Sequence, residues 1–213
     1  RVLNPFHFNT AHEITSNGNN RSAKIYADGK YTITYPKKKR GLDIRAFTGV
    51  VIFNNASNDF HLSAANGIDD YRYENAFLGR TEQEGFLSQQ ISMNDDGGFA
   101  MRTTGVTPRI GESDSWLFAV NLKARIPFFM PLYLFADLGF APNDNYDVFQ
   151  YDAGIGFTLL PDVVEIYLPL SYSSDIKTNL ISTPFYEHWY QRISFTFNIE
   201  KLNPFELIRN IKL

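Results

Sequence analysis

Hydrophobic and polar residues alternate with a period of two along most of this chain, which is the pattern of β-strands with one apolar and one polar face. The clearest example is 116–126, W-L-F-A-V-N-L-K-A-R-I, where every second residue is apolar and the residues between become charged. The alternation returns over 132–140 after a connection of only residues 127–131. Strands of about ten residues joined by a tight turn are long enough to cross a membrane, so this pair predicts a transmembrane hairpin.

Further segments follow the same rule and predict a single all-β unit. They lie at 2–12, 23–35, 42–53, 151–159, 164–172 and 193–199. The chain has 213 residues, of which 44% are hydrophobic and 15% aromatic, enough for one barrel or sandwich. We therefore predict an antiparallel transmembrane β-barrel of about 8–10 strands over residues 1–200.

The composition of the two faces decides which one is predicted to meet lipid. One row of each strand is apolar from end to end, whereas the other carries Gly, Asp, Asn and Tyr, where a water-exposed sheet favours Lys, Glu and Thr. The predicted lipid-facing residues are Phe118, Val120, Leu122, Leu134, Leu138, Ile155, Phe157, Ile166, Leu168, Phe195 and Phe197. The opposite rows supply a predicted network of interior charges, because enclosed charges need partners: Lys123, Arg125, Asp137, Asp152, Glu165 and Arg192.

Connection lengths and aromatic positions favour the same arrangement. If the last strand runs toward the periplasm, the short turns at 127–131 and 160–162 lie on the periplasmic side. The longer connections near 104–114, 141–147 and 173–187 then lie outside, as in outer-membrane barrels. The predicted aromatic girdle consists of Trp116, Tyr172 and Trp189 at the outer interface and Phe128 and Phe129 at the inner one.

Two segments depart from the strand pattern. Residues 66–114 are polar and glycine-punctuated, and they predict either an insert that covers or plugs the interior or two irregular strands with a loop. The tail at 201–213 predicts an amphipathic helix, with Asn203 as its cap and Pro204 in its first position. Its apolar face, predicted to dock on the membrane surface or on a protein partner, consists of Phe205, Ile208 and Ile211.

Charge and composition exclude several classes of protein. The formal net charge of −3 argues against a nucleic-acid partner. The absence of cysteine excludes a disulfide scaffold, a thiolate zinc site and a cysteine nucleophile. The sequence contains no run of about eighteen apolar residues that predicts a transmembrane helix. Because the chain starts at Arg1 without a signal peptide, we expect it to be a processed or excised piece of a larger protein.

Motifs for catalysis or metal binding are weak. His12 and Glu13 begin like the H-E-x-x-H zinc motif, but the second histidine is replaced by Ser16. The sequence therefore predicts no catalytic residue, no metal ligand set and no cofactor in this chain. The basic run at 37–40 is typical of a solvated turn, with contact to anionic lipid as the alternative.

Four short segments carry a resemblance to a known family: F-L-G-R-T-E-x-x-G-F-L-S-Q-Q at 77–90, L-F-A-D-L-G at 134–139, Y-D-A-G at 151–154 and V-V-E-I-Y-L-P-L at 163–170. They resemble the C-terminal region of large aminopeptidase-N-like (gluzincin) metallopeptidases of bacteria with an outer membrane. In that family the zinc and the general base lie in an upstream domain, so the resemblance implies a non-catalytic part. The chain is also similar to the final strands of the surface-antigen and barrel-insertase superfamily, although Leu78-Gly79-Arg80 replaces that superfamily's R-G-F/Y core.

The expected function is that of an accessory module. We expect an outer-membrane barrel that anchors a larger, metallopeptidase-like polypeptide or complex, with the lipid bilayer as its partner and a protein partner at the tail helix. A small outer-membrane channel is the second hypothesis. A water-soluble β-sandwich accessory domain of a metallopeptidase is the third, because alternation alone is compatible with an apolar face turned inward.

Overall fold

The fold is known from a computed structural model that describes residues 4–36, 41–55, 62–63, 110–127, 131–142, 144–160, 164–182 and 188–197. Within these ranges the chain is all-β apart from one α-helix and one 3-10 helix. The strands are β1 (Phe6–Asn17), β2 (Asn20–Thr34), β3 (Gly41–Asn54), β4 (Leu62–Ser63), β5 (Glu112–Ser113), β6 (Trp116–Arg125), β7 (Leu132–Phe140), β8 (Phe149–Leu160), β9 (Val164–Tyr172) and β10 (Ser194–Phe197). The all-β prediction is confirmed.

Eight of these strands form one antiparallel sheet in the order β1-β2-β3-β6-β7-β8-β9-β10, and β4 pairs with β5 in a small separate ribbon. Neighbours in the large sheet are also neighbours along the chain, once the ribbon between β3 and β6 is set aside. No ladder among the described residues joins β1 to β10, so the sheet is open along these two edges. Barrel closure is therefore not part of the described structure.

Connections of different lengths separate the two ends of the sheet. Short connections at 35–40, 126–131 and 161–163 join strands at one end, which we call the turn end. The opposite end, the loop end, carries the connections at 55–115, 141–148 and 173–193. It also carries the tight turn between β1 and β2, where Asn17 pairs with Asn20 and Gly18 has a φ of +63°. A left-handed residue in a two-residue hairpin turn is the conformation that glycine adopts most readily.

Two elements differ from the prediction. Strand β1 continues to Asn17, beyond the predicted boundary at residue 12, because its pairing with β2 is uninterrupted although Thr10 and His12 interrupt its apolar row. Helix α1 (Ser174–Ser182) lies in a connection that the sequence predicted to be a loop. Its first turn contains Asp175, a favourable position for a carboxylate, but its apolar face is too short to produce a clear helical period.

Several predicted features lie outside the described residues. These are the central part of the insert, residues 64–109, the tail helix at 201–213 with Phe205, Ile208 and Ile211, and the girdle residues Phe128 and Phe129.

Candidate functional site: an exposed apolar belt and a covered polar face

One face of the sheet exposes large apolar side chains, whereas the other covers charged side chains together with apolar ones such as Phe47 and Leu117. Large apolar side chains stand on the exposed face: Phe6 is 68% exposed, Ile14 70% and Leu134 51%. On the other face, Asp137 is 3% exposed and Asp152 is fully covered. Large exposed apolar patches mark surfaces that contact a partner or a membrane. We call this surface the apolar belt: Phe6, Phe8, Ile14, Ile25, Tyr31, Ile33, Val50, Trp116, Phe118, Leu134 and Phe149.

Strand register places the predicted lipid-facing residues on the same face as the belt. Phe118 and Leu134 are themselves exposed belt residues. The following residues lie on this face and are half-buried: Val120, Leu122, Leu138, Ile155, Phe157, Ile166 and Leu168. Phe195 and Phe197 occupy register positions opposite Ile166 and Val164.

Aromatic rings cluster at both ends of the exposed face. At the loop end, Phe118, Phe140 and Phe149 form a ladder across β6, β7 and β8, with centroid separations of 6.2 Å and then 4.9 Å. At the turn end, the rings of Phe6 and Phe8 lie 6.4 Å apart, and Phe6 pairs with Tyr31. The sequence analysis included Trp116 in a girdle but missed this ladder, because cross-strand register brings together rings that are far apart in sequence.

Two other girdle residues occupy different environments. Trp189 is 63% exposed in the 3-10 helix Trp189–Arg192 at the loop end. Tyr172 does not continue the apolar row of β9, since a bulge opposite Ala153 and Gly154 shifts the register and places Tyr172 across from Asp152 on the polar face. There its ring packs against the buried pair of Ile110 and Ile176, and its hydroxyl accepts a hydrogen bond from Arg192.

A polar cluster on the covered face links β6 to β9. Lys123 forms an ion pair with Glu165, and its ammonium lies 4.2 Å from the centroid of the Tyr133 ring. The same carboxylate accepts hydrogen bonds from the hydroxyl of Tyr167 at 2.6 Å and from that of Tyr133 at 3.3 Å. Strands β6 and β9 are separated by β7 and β8 in the sheet order, so this contact requires the sheet to curl around its polar face.

The remaining predicted interior charges have other partners. Arg125 pairs with Asp43 at 3.0 Å, and Asp43 also accepts a hydrogen bond from Thr32 at 2.6 Å. Asp137 and Asp152 are directly opposite each other on β7 and β8, and the amide of Asn121 donates to Asp137 at 2.8 Å.

The sequence did not predict two further ion pairs. Lys24 pairs with Glu13 at 3.3 Å, and Arg45 pairs with Asp28 at 2.7 Å. Lys24, Asp28 and Arg45 lie in the predicted alternation of β2 and β3, whereas Glu13 lies beyond the strand predicted at 2–12; the sequence does not reveal which strand pairs with which. Both pairs lie on the covered face, across β1 to β3.

Glycines on β8 provide space for the aromatic side chains of β7. Gly156 lies opposite Tyr133, and a Cβ added at Gly156 would overlap the tyrosine ring. A Cβ at Gly154 would lie 2.9 Å from the ring of Phe135. Glycine at these positions therefore permits the rings to lie over the sheet beside the Lys123–Glu165 pair.

The described residues contain no group of three or more His, Asp or Glu side chains that could hold a metal ion. His7 and His12 lie an odd number of positions apart on β1, so they point to opposite faces. Within the same part of the chain, no helix is long and apolar enough to cross a membrane. Comparison with protein-family models, curated proteins and solved structures gave no match.

Proposed function

We propose that this chain is a membrane-embedded β-barrel domain that anchors a larger polypeptide in a bacterial outer membrane. The observation that carries the proposal is the distribution of side chains over the sheet, in which aromatic and aliphatic side chains are exposed on one face and ion pairs such as Lys24–Glu13 are covered on the other. Moving a large apolar side chain out of water is worth about 1.5–3 kcal/mol. A continuous belt of such residues is therefore stable against hydrocarbon and unfavourable against water.

The polar face supports the same proposal. A charged face turned inward needs internal partners, and Lys24 with Glu13, Asp43 with Arg125 and Lys123 with Glu165 provide them. In a water-soluble sandwich the apolar rows would instead meet one another, and the charged rows would meet solvent. Leu134 and Asp137, on the two faces of one strand, have the reverse arrangement.

The sheet edges set a condition for this proposal. Backbone groups that lack partners in hydrocarbon cost several kcal/mol each, so the edges of β1 and β10 must be paired when the domain is in the bilayer. The proposed barrel satisfies this condition by closing the wall formed by the described strands, with or without further strands of the parent polypeptide. Because eight strands alternate in direction, β1 and β10 run antiparallel to each other, which is the orientation that such closure uses.

The identity of the anchored polypeptide is proposed from sequence resemblance. The segments at 77–90, 134–139, 151–154 and 163–170 favour a metallopeptidase-like protein whose catalytic zinc site lies in another domain. In this proposal the chain supplies attachment to the membrane and takes no part in the chemistry.

Folding of the purified chain in different solvents tests the proposal. The unfolded chain is diluted from urea into buffer, into detergent micelles or into vesicles of outer-membrane-like lipid, and β-structure is followed by circular dichroism. We expect cooperative folding in micelles and vesicles and aggregation in buffer. A monomer that folds cooperatively in buffer and does not bind vesicles would contradict the proposal.

A further inference from the structure

The β4–β5 ribbon lies against the covered face of the large sheet at its loop end. Leu62 on β4 is 2% exposed and packs in a cluster with Phe47, Leu117, Ala119 and Ala141. Register pairs Phe47 with Ala119 and Gly49 with Leu117, so this part of the wall belongs to the face that carries the ion pairs. The ribbon is therefore inside the curl of the sheet rather than on the apolar belt.

Gly49 forms a notch into which Leu62 fits. A Cβ added at Gly49 would lie 2.8 Å and 3.1 Å from the two methyl carbons of Leu62, and 3.2 Å from the Cβ of Tyr26. The first of these distances is shorter than non-bonded carbon atoms tolerate. A Cβ at residue 49 therefore requires the Leu62 methyl groups to move, and a larger side chain such as valine requires a larger displacement of Leu62.

A second set of contacts holds the other strand of the ribbon. Ile110, just before β5, is completely buried and packs with Ile176 of α1, against Tyr146 and Tyr172. Gly111, with a φ of +81°, turns the chain from Ile110 into β5. The Ser113 hydroxyl then accepts hydrogen bonds from the backbone N–H groups of Ser115 at 3.2 Å and Trp116 at 3.3 Å, which fixes the ribbon to the start of β6.

Among the charged residues of β6 and β7, exposure decreases from the turn end toward the ribbon. Arg125, next to the turn end, has a side chain that is 39% exposed, and that of Lys123 is 21% exposed. Asp137, nearer the ribbon, is 3% exposed. The two cations are thus partly exposed at the turn end, where Asp43 and Tyr133 on the same face are 7% and 1% exposed.

We propose that the β4–β5 ribbon is an internal plug, with Leu62 in the Gly49 notch as its latch. The plug closes the polar interior at the loop end and holds both flanks of the connection between β3 and β6 inside the wall. This proposal rests on the proposed function, since a plug can limit permeation only if the sheet encloses an interior in the membrane. The proposal predicts a domain that anchors the larger polypeptide in the membrane but does not conduct ions.

Thiol accessibility tests the latch, because the chain has no cysteine of its own. Leu62→Cys and Leu117→Cys are made as separate single-cysteine proteins, the second of which keeps Leu62 in place. We expect both thiols to react slowly with a maleimide in the folded protein, compared with a thiol at exposed Asn19. Adding Gly49→Val should accelerate the reaction of Leu117→Cys by about tenfold or more, because Leu62 is displaced from the wall; Leu62→Cys lacks the methyl groups that clash and reports only the burial of residue 62.

Thr48→Val is the matched control, since Thr48 is adjacent to Gly49 but exposed on the opposite face of β3. It should leave both labelling rates unchanged. Rapid labelling of Leu117→Cys in the folded protein without Gly49→Val would overturn the plug, as would equal effects of the two valine substitutions.

Permeation provides a second measurement. In planar lipid bilayers the unmodified domain should show no sustained conductance, and Gly49→Val should produce open events that Thr48→Val does not. Sustained conductance of the unmodified domain would overturn the plug while leaving membrane insertion established. Conversely, if the chain folds in water, the labelling experiment is performed on that form, so failure of the proposed function and failure of the latch are separate outcomes.

Discussion

Tyr133 and Gly156 form a cross-strand pair in which the tyrosine ring occupies the space that a Cβ would need. The same tyrosine contacts Lys123 with its ring and Glu165 with its hydroxyl, so its position connects the glycine to the ion pair. A glycine within a strand ordinarily weakens the strand. Here it allows an aromatic side chain to lie across the sheet, which keeps three partners of one carboxylate together.

Replacing Gly156 with alanine tests this arrangement. The new methyl group must displace the Tyr133 ring, and overpacking of this kind costs about 1–3 kcal/mol of unfolding free energy. The measurement is urea-induced unfolding of the domain in the detergent or lipid in which it folds. In a Tyr133→Ala background the additional cost of Gly156→Ala should be close to zero.

Gly29→Ala is the control for this substitution. A Cβ at Gly29 would meet its nearest atom, on the Phe8 side chain, at 3.5 Å, which is ordinary van der Waals contact. This change should be neutral or stabilise the domain by about 0.4–1 kcal/mol, because alanine restricts the unfolded chain. Equal destabilisation at the two glycines would mean that the Tyr133 ring is not held over Gly156.

At the scale of single strands, β7 places its apolar and polar rows in different environments. Leu134 on one face is 51% exposed, whereas Asp137 on the other is 3% exposed and lies opposite Asp152. Exposure alone does not show whether the exposed face meets water or hydrocarbon. A charged residue introduced on each face distinguishes the two, because a charge on the exposed face is tolerated in water and destabilises the domain in hydrocarbon.

Leu134→Arg should therefore destabilise the domain in lipid vesicles, by about 2–4 kcal/mol if the side chain lies near the bilayer midplane and by less if it lies nearer the interface. The same substitution at a half-exposed position in water usually changes stability by less than about 0.5 kcal/mol. The measurement is reversible urea unfolding in vesicles, followed by tryptophan fluorescence of Trp116 and Trp189.

Asn121→Arg is the matched substitution on the polar face. The Asn121 amide already donates a hydrogen bond to Asp137, so a guanidinium at this position has a carboxylate to pair with. We expect a much smaller effect than that of Leu134→Arg. A neutral Leu134→Arg together with a damaging Asn121→Arg would reverse the assignment of the two faces.

Strand periodicity predicted much of this fold, because one repeating rule applies to most strands of the large sheet. It predicted the strands from Trp116 to Tyr172 and the division of each strand into an apolar and a polar row. It did not predict which charges meet, since Lys123 and Glu165 come together only through the curl of the sheet. It also placed Tyr172 on the apolar face, because a bulge that shifts the register is not visible in a regular alternation.

At the scale of the whole molecule, the arrangement of connections implies two chemically separate ends. Asn19 is exposed in the turn between β1 and β2 at the loop end, and Pro127 is exposed in the connection after β6 at the turn end. If the sheet crosses a bilayer, these residues lie on opposite sides of it. If the apolar belt instead rests on a membrane surface or packs against another protein, both residues remain on the same side.

Single cysteines at these positions distinguish the two arrangements. Asn19→Cys and Pro127→Cys proteins are folded separately into sealed vesicles under the same conditions, then treated with a membrane-impermeant maleimide before and after lysis. Whatever proportion of molecules inserts in each direction, that proportion is the same for both variants, so the fractions labelled before lysis should be complementary and sum to about the total labelled after lysis. Nearly complete labelling of both variants in intact vesicles would place both ends outside the bilayer and exclude a membrane-spanning sheet.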